Sequence, residues 1–289
     1  MASWLIVGTV PTETFSLYLG AFHLENWEIH FDGDKRGGVV EVQRGTPTLL
    51  AAACLTLESL GCKPPMALLC GDTGQGKGSR EIYAKLVQCL PEQTFSGLTF
   101  HYLYPDVDWH NRIWLALERL APRPQLVCDA GYMYVAKMSG YAQGYDLFTP
   151  DLGELTFLAD AQAPHPFYTR GFVHAEDHDV AALARKAYQD SNAAEWLLVK
   201  GETDHLVHQG KIVADIQEPN LPVLEAIGGT GDLLTGVVTG LLASGRPMEQ
   251  ACKEAARLCR QAGQLANPTP ASQITEMLAR LPELVRSLG

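Results

Sequence analysis

Residues 226–245 read AIGGTGDLLTGVVTGLLASG. Gly228, Gly229 and Gly231 permit backbone conformations closed to other residues, so several N–H groups can converge on one concavity. Leu233, Leu234, Val237, Val238, Leu241 and Leu242 then recur at helical spacing and predict a helix with one buried stripe. A glycine nest at a helix N-terminus is an anion site, because the open amides and the helix dipole both favour negative charge there. Asp232, in the first turn, is placed to accept a proton from a hydroxyl as it attacks a phosphoryl group held by the nest. Its plainer role is to complement the positive end of the helix.

Such a site needs strands that end beside it. Short apolar runs alternate with amphipathic ones along the chain: SWLIVG (3–8), TLLAAACLTLESLG (48–61), MALLCG, SREIYAKLVQCL, LTFHYLY, HNRIWLALERL, QLVCDA, YDLFTP, LGELTFLAD, DVAALARKAYQD and EWLLVKG. This alternation predicts an α/β fold, a three-layer sandwich around a mainly parallel sheet. WEIHF (27–31) and GVVEVQ (38–43) read as two strands around a turn at Asp32-Gly33, a small β flap over about residues 25–45. No linker composition or repeat divides the chain, so one domain over 1–289 is expected. In open α/β sheets the ligand crevice lies beyond the carboxyl ends of the strands. Here those ends are CDAG (128–131), TPDLGE (149–154), KGET (200–203) and GGTGD (228–232).

Composition narrows the function classes. The formal net charge of −11 disfavours a broad nucleic-acid or anionic-membrane surface. Seven cysteines with no C-x-x-C pair indicate neither a zinc ribbon nor a disulfide framework, and suit a reducing cytoplasm. No apolar run reaches the roughly 18 residues of a membrane span.

GGTGDLLTGVVTGLL resembles the anion-hole and catalytic-aspartate signature of the ribokinase-like superfamily, which includes carbohydrate kinases, vitamin-precursor kinases and ATP- or ADP-dependent NAD(P)H-hydrate dehydratases. WLIVG, RGTPTLLAAACLTLESLG, LLCGDTGQGKGSREIYAKL, QLVCDA, LFTPDLGEL and WLLVKGETDHLVHQGKIV resemble, in order, further segments of that fold. The resemblance implies a kinase or related enzyme with ATP (or ADP) across the strand ends, Mg2+ bridging phosphates, and phosphoryl transfer to a hydroxyl of a small molecule. It implies Asp232 as general base and Gly229, Thr230 and Gly231 as the anion hole. Glu154 is implied near Mg2+ through water, Lys200, Gly201 and Asn267 near the nucleotide, and Gly45 and Asp129 near the acceptor. A flap of this kind often covers a partner's site, which implies a homodimer. The chain departs from the sugar-kinase pattern D-T-x-G-A-G-D in carrying EAIGGTGD, a form closer to the dehydratases. It departs from the dehydratase T-P-H-P-G-E in carrying TPDLGE, and from their glycine-proline-glycine turn in carrying LYPDVD (103–108).

Three motifs compete with this reading. Asp151 and Glu154 form a capping-box-like pair, compatible with a metal role for Glu154. GDTGQGKGS (71–79) satisfies most of a P-loop, an alternative NTPase reading, but Gly78 stands where the Mg2+-binding hydroxyl belongs. His174 and His178 have an i, i+4 metal spacing with no obvious third ligand, and His205 and His208 read as strand or turn residues. A module that binds nucleotide without catalysis is a further alternative, against which Asp232 counts: a carboxylate facing phosphate costs a pure binder affinity.

Overall fold

The computed structural model describes residues 3–32, 38–163 and 179–288. The expected turn at Gly33, the loop prolines Pro164 and Pro166, and His174 and His178 lie outside the described residues. The strands are β1 (Ser3–Val10), β2 (Tyr18–Glu25), β3 (Glu28–Phe31), β4 (Val39–Glu41), β5 (Met66–Gly71), β6 (Phe95–His101), β7 (Gln125–Cys128), β8 (Leu147–Phe148), β9 (Trp196–Val199), β10 (Asp204–His208) and β11 (Lys211–Ile216). The helices are α1 (Thr46–Ser59), α2 (Lys77–Cys89), α3 (Val107–Leu117), α4 (Tyr132–Met138), α5 (Leu152–Ala159), α6 (Val180–Gln189), α7 (Thr230–Ala243), α8 (Met248–Ala266), α9 (Ile274–Leu278) and α10 (Leu281–Arg286).

One sheet runs in the order β11-β10-β9-β8-β7-β6-β1-β5-β2-β3-β4. From β9 to β5 neighbouring strands are parallel, and both edges turn antiparallel. Two apolar cores flank it, one built with α1, α7, α8, α9 and α10, the other with α2 to α6. The α/β sandwich expected from the alternation is therefore the architecture observed. WEIHF and GVVEVQ do pair, as β3 with β4. The sequence reading omitted β2, which first pairs β5 and then turns to pair β3, carrying the edge away from the parallel core. Among the described residues no helix is long and apolar enough to cross a membrane.

The packing of α1 against α7 decides where the site can form. Rather than showing one stripe, α7 is buried on every side from Asp232 to Leu242, because the sheet, α1 and α8 enclose it. Gly236 and Gly240 let α1 approach: a Cβ on Gly236 would stand 2.5 Å from the Leu49 carbonyl oxygen, and one on Gly240 2.7 Å from Thr56 Cβ. On the sheet side, Thr235 and Thr239 pin the helix by hydroxyl bonds to Thr149 and Thr99, each 3.0 Å. Trp4 Nε1 donates to the same Thr99 hydroxyl at 2.9 Å. These contacts bring the two helix N-termini side by side.

At an exposed helix position glycine to alanine would gain about 1 kcal/mol of propensity. Gly236→Ala should instead destabilise the protein by about 1–3 kcal/mol, since the new methyl meets backbone that cannot retreat. Urea unfolding checks the sign, and a stabilised variant would contradict the close approach.

Candidate active site

The N-terminus of α7 opens into a cavity of about 400 Å3 at the carboxyl ends of β7, β8 and β9. Gly229 is its N-cap, with φ 100°, a left-handed backbone that lets the chain turn sharply into the helix. No side chain caps this end. The first-turn amides, which have no intrahelical partner, therefore lie open beside the cavity that Gly229, Thr230, Gly231 and Asp232 line. Uncapped backbone donors facing a cavity are what a phosphate oxygen requires.

Asp232 is buried, and both its oxygens are held. The Gly45 amide, at the N-cap of α1, donates to Oδ2 at 2.6 Å, and His101 Nε2 lies 3.0 Å from Oδ1. An ionised carboxylate only accepts, so Nε2 carries the proton; in the neutral ring Nδ1 then accepts from the Thr46 hydroxyl at 3.0 Å. Burial pushes the Asp232 carboxyl up, but the His101 bond, the Gly45 amide and the Lys200 charge outweigh it and hold the group below the usual carboxylate range. Asp232 thus remains ionised and fixed between two positive helix ends. His101 went unnoticed in the sequence, although its place at the carboxyl end of β6 is the signal that singled out the other strand ends.

A second group of charges faces the same cavity. Lys200 Nζ donates to Asp129 Oδ1 at 2.8 Å, while Asp129 Oδ2 accepts from Thr235 Oγ1 at 2.5 Å. Asp129 lines the cavity although it is only 1% exposed, and both its oxygens are engaged, so it also holds Lys200 and α7 in place from below. Burial alone would lower the Lys200 ammonium, but Asp129, Glu154 and Asp232 raise it above its ordinary value. Asp151 and Glu154 form the capping box read from the sequence, with bonds of 2.7 and 2.9 Å. Glu154 Oε1 also accepts from Tyr134 at 2.7 Å. Burial raises the Glu154 carboxyl well above the usual range, with Asp129 and Asp151 adding to the shift and Lys200 opposing it. Hard carboxylate oxygens around a cavity suit the water ligands of Mg2+.

The remaining expectations divide. Gly201 lines the cavity, but its amide is spent on Asp204 and its carbonyl on Arg260, making it part of a clamped rim. The Gly45 amide is likewise committed to Asp232. Asn267 caps α8 in a left-handed conformation and is not among the cavity's lining residues, so the structure does not bring it to the site. The P-loop imitation fails on its own aspartate: Asp72 accepts from the amides of Gly74, Gln75, Gly76 and Ser79, filling the nest a phosphate would need.

A second hollow of about 590 Å3 lies between the segment from Pro11 to Ser16 and the segment from Gly38 to Pro47 that carries β4. Gln43 and Arg44 line it and also abut the N-terminus of α7, where a Cβ on Gly229 would stand 3.4 Å from Arg44 Cα. Tyr102, at φ 48°, turns out of β6 in a conformation uncommon for a bulky residue and lines the first cavity. Neither Arg44 nor Tyr102 was singled out in the sequence.

Comparison with known proteins shows the family of the chain. The family model described as NAD(P)H-hydrate dehydratase (Carb_kinase) matches residues 105–282. An uncharacterized protein of Methanocaldococcus jannaschii is 34% identical over 240 residues, spanning 83% of this chain and 99% of its own. A ribokinase-like superfamily protein of Enterococcus faecalis superposes with a TM-score of 0.60 at 15% identity, covering 99% of this chain and 87% of that one. The ADP/ATP-dependent NAD(P)H-hydrate dehydratase of Bacillus subtilis, crystallised with ATP and Mg2+, gives 0.55 at 13% identity, covering 99% and 89%. From the family match together with the fold, this chain belongs to the Carb_kinase family of enzymes within the ribokinase-like superfamily.

Proposed function

We propose that the protein catalyses ATP- or ADP-dependent, Mg2+-assisted phosphoryl transfer to a hydroxyl of a small molecule. The observation that carries this reading is the uncapped N-terminus of α7 facing a cavity with an ionised Asp232 in its first turn. A bound Mg2+-nucleotide supplies the transferable phosphoryl group. The amides of Thr230 and Gly231 would hold its phosphate oxygens and Lys200 would offset their charge, while Glu154, whose carboxyl burial raises, would ionise beside Mg2+ and accept hydrogen bonds from its water ligands. Asp232 orients the attacking hydroxyl and takes its proton, and His101 and Gly45 hold that carboxylate in register.

The acceptor enters from the second hollow, walled by the segment from Gly38 to Pro47. Arg44 and Tyr102 stand where the two cavities approach each other. A second reading, hydrate dehydration, is favoured by the family model over residues 105–282. There the same transfer would convert a hydroxyl into a leaving group. Against a module that only binds nucleotide stands the hydrogen-bond frame around Asp232, which fixes a carboxylate beside the anion hole.

Asp232→Asn should lower kcat by about 100- to 10,000-fold while nucleotide affinity stays within a few fold. Unchanged turnover would remove Asp232 from the chemistry. Product analysis separates the two reactions. ATP consumption with a phosphorylated product marks a kinase, whereas consumption that requires hydrated NADH or NADPH and restores the dinucleotide marks a dehydratase; turnover with neither acceptor class contradicts both.

The pH profile tests the carboxylate's environment. His101→Leu deletes the bond that most strongly opposes burial, so the Asp232 pKa rises and the acid limb of kcat/KM moves to higher pH. His101→Gln, which keeps a donor, should leave that limb near its wild-type position. An acid limb unmoved in the leucine variant would show that Asp232 does not set it.

A further inference from the structure

Beside the second hollow, whose wall β4 pairs with β3, the β2–β3 hairpin carries a row of histidine and glutamate side chains on one face. The strands pair His23 with His30 and Glu25 with Glu28, so alternation places His23, Glu25, Glu28 and His30 on one side. Phe22, Ile29 and Phe31 point to the other side and are buried in the core. The connection is only Asn26 and Trp27, both at positive φ (50° and 63°), which is the tight two-residue hairpin turn that fixes register. The imidazoles of His23 and His30 stack with centroids 5.2 Å apart and planes 13° from parallel.

We propose that His23, His30 and Glu25 form a binding site for a divalent transition metal of the Zn2+ class, distinct from the nucleotide's Mg2+. One donor atom from each of the three lies within 4.8 Å of the others. Tetrahedral coordination at Zn2+–nitrogen lengths needs donors about 3.4 Å apart, an adjustment of roughly an ångström that exposed side chains make by rotation. Two imidazoles and a carboxylate leave one position for water. Asp32 adds the second feature: its carboxylate lies 3.1 Å from His23 Nδ1, fixing the ring and directing Nε2 to the metal. A carboxylate behind a ligating histidine orients the ring and raises its basicity. Nitrogen donors select Zn2+, Ni2+ or Cu2+ over Mg2+, and the bound ion would staple β2 to β3.

Titration of the metal-stripped full chain with Zn2+ tests the site without any assay of turnover. One Zn2+ should bind with a Kd on the order of micromolar, and His23→Ala/His30→Ala should weaken it at least 100-fold with an unchanged circular dichroism spectrum. Asp32→Asn should weaken it about tenfold. His205→Ala/His208→Ala, on β10, should leave it unchanged. Absence of Zn2+ binding would overturn the proposal, as would equal binding by the His23/His30 variant or loss of binding only in His174→Ala/His178→Ala.

Discussion

The hydrogen bond from the Gly45 amide to Asp232 ties together the two helices on which the site depends. It joins the N-cap of α1 to the first turn of α7, so one carboxylate lies between two partly positive helix ends. The bond forms only because the glycines of α7 let α1 come to backbone contact, and because Thr235 and Thr239 fasten α7 to the sheet. Helix packing thus determines the position of the proposed base. The open amides of α7 are then left facing solvent-accessible space rather than a protein partner.

The charges are layered around that frame. Asp129 is buried, paired with Lys200 and hydrogen-bonded by the Thr235 hydroxyl, so the lysine's position is set from below. Glu154 is held from the side by Tyr134 and by the amide of Asp151. In the proposed reaction, structural and chemical duty would coincide in these residues. A capping-box carboxylate is immobile, and in the proposed reaction an immobile carboxylate would lose little entropy on orienting metal-bound water.

Much of this was legible in the residues. The alternation of apolar runs identified the sheet and most helices, and GGTGD marked the helix N-terminus that opens into the cavity because glycines, helix register and an acidic first-turn residue coincide there. The strand-end rule found Asp129, Glu154 and Lys200, yet passed over His101 because a histidine inside LTFHYLY looks like one more strand residue. Its role depends on β6 lying beneath the N-termini of α1 and α7, a tertiary fact. Tyr102 was illegible for a similar reason, since its left-handed backbone is a consequence of where the strand ends. β2 escaped because its exposed histidine and glutamate dilute the apolar signal of an edge strand.

The central claim is that backbone amides at the start of α7, and not those of the glycine-rich loop before α2, receive the nucleotide's phosphates. Amide chemical shifts followed during titration with a non-hydrolysable ATP analogue and Mg2+ test it most directly. The account predicts large shifts for Thr230, Gly231 and Asp232, with Gly74, Gln75 and Gly76 unmoved because Asp72 already occupies them. Shifts confined to the Gly74–Gly76 loop, or none at α7 under saturating analogue, would contradict it.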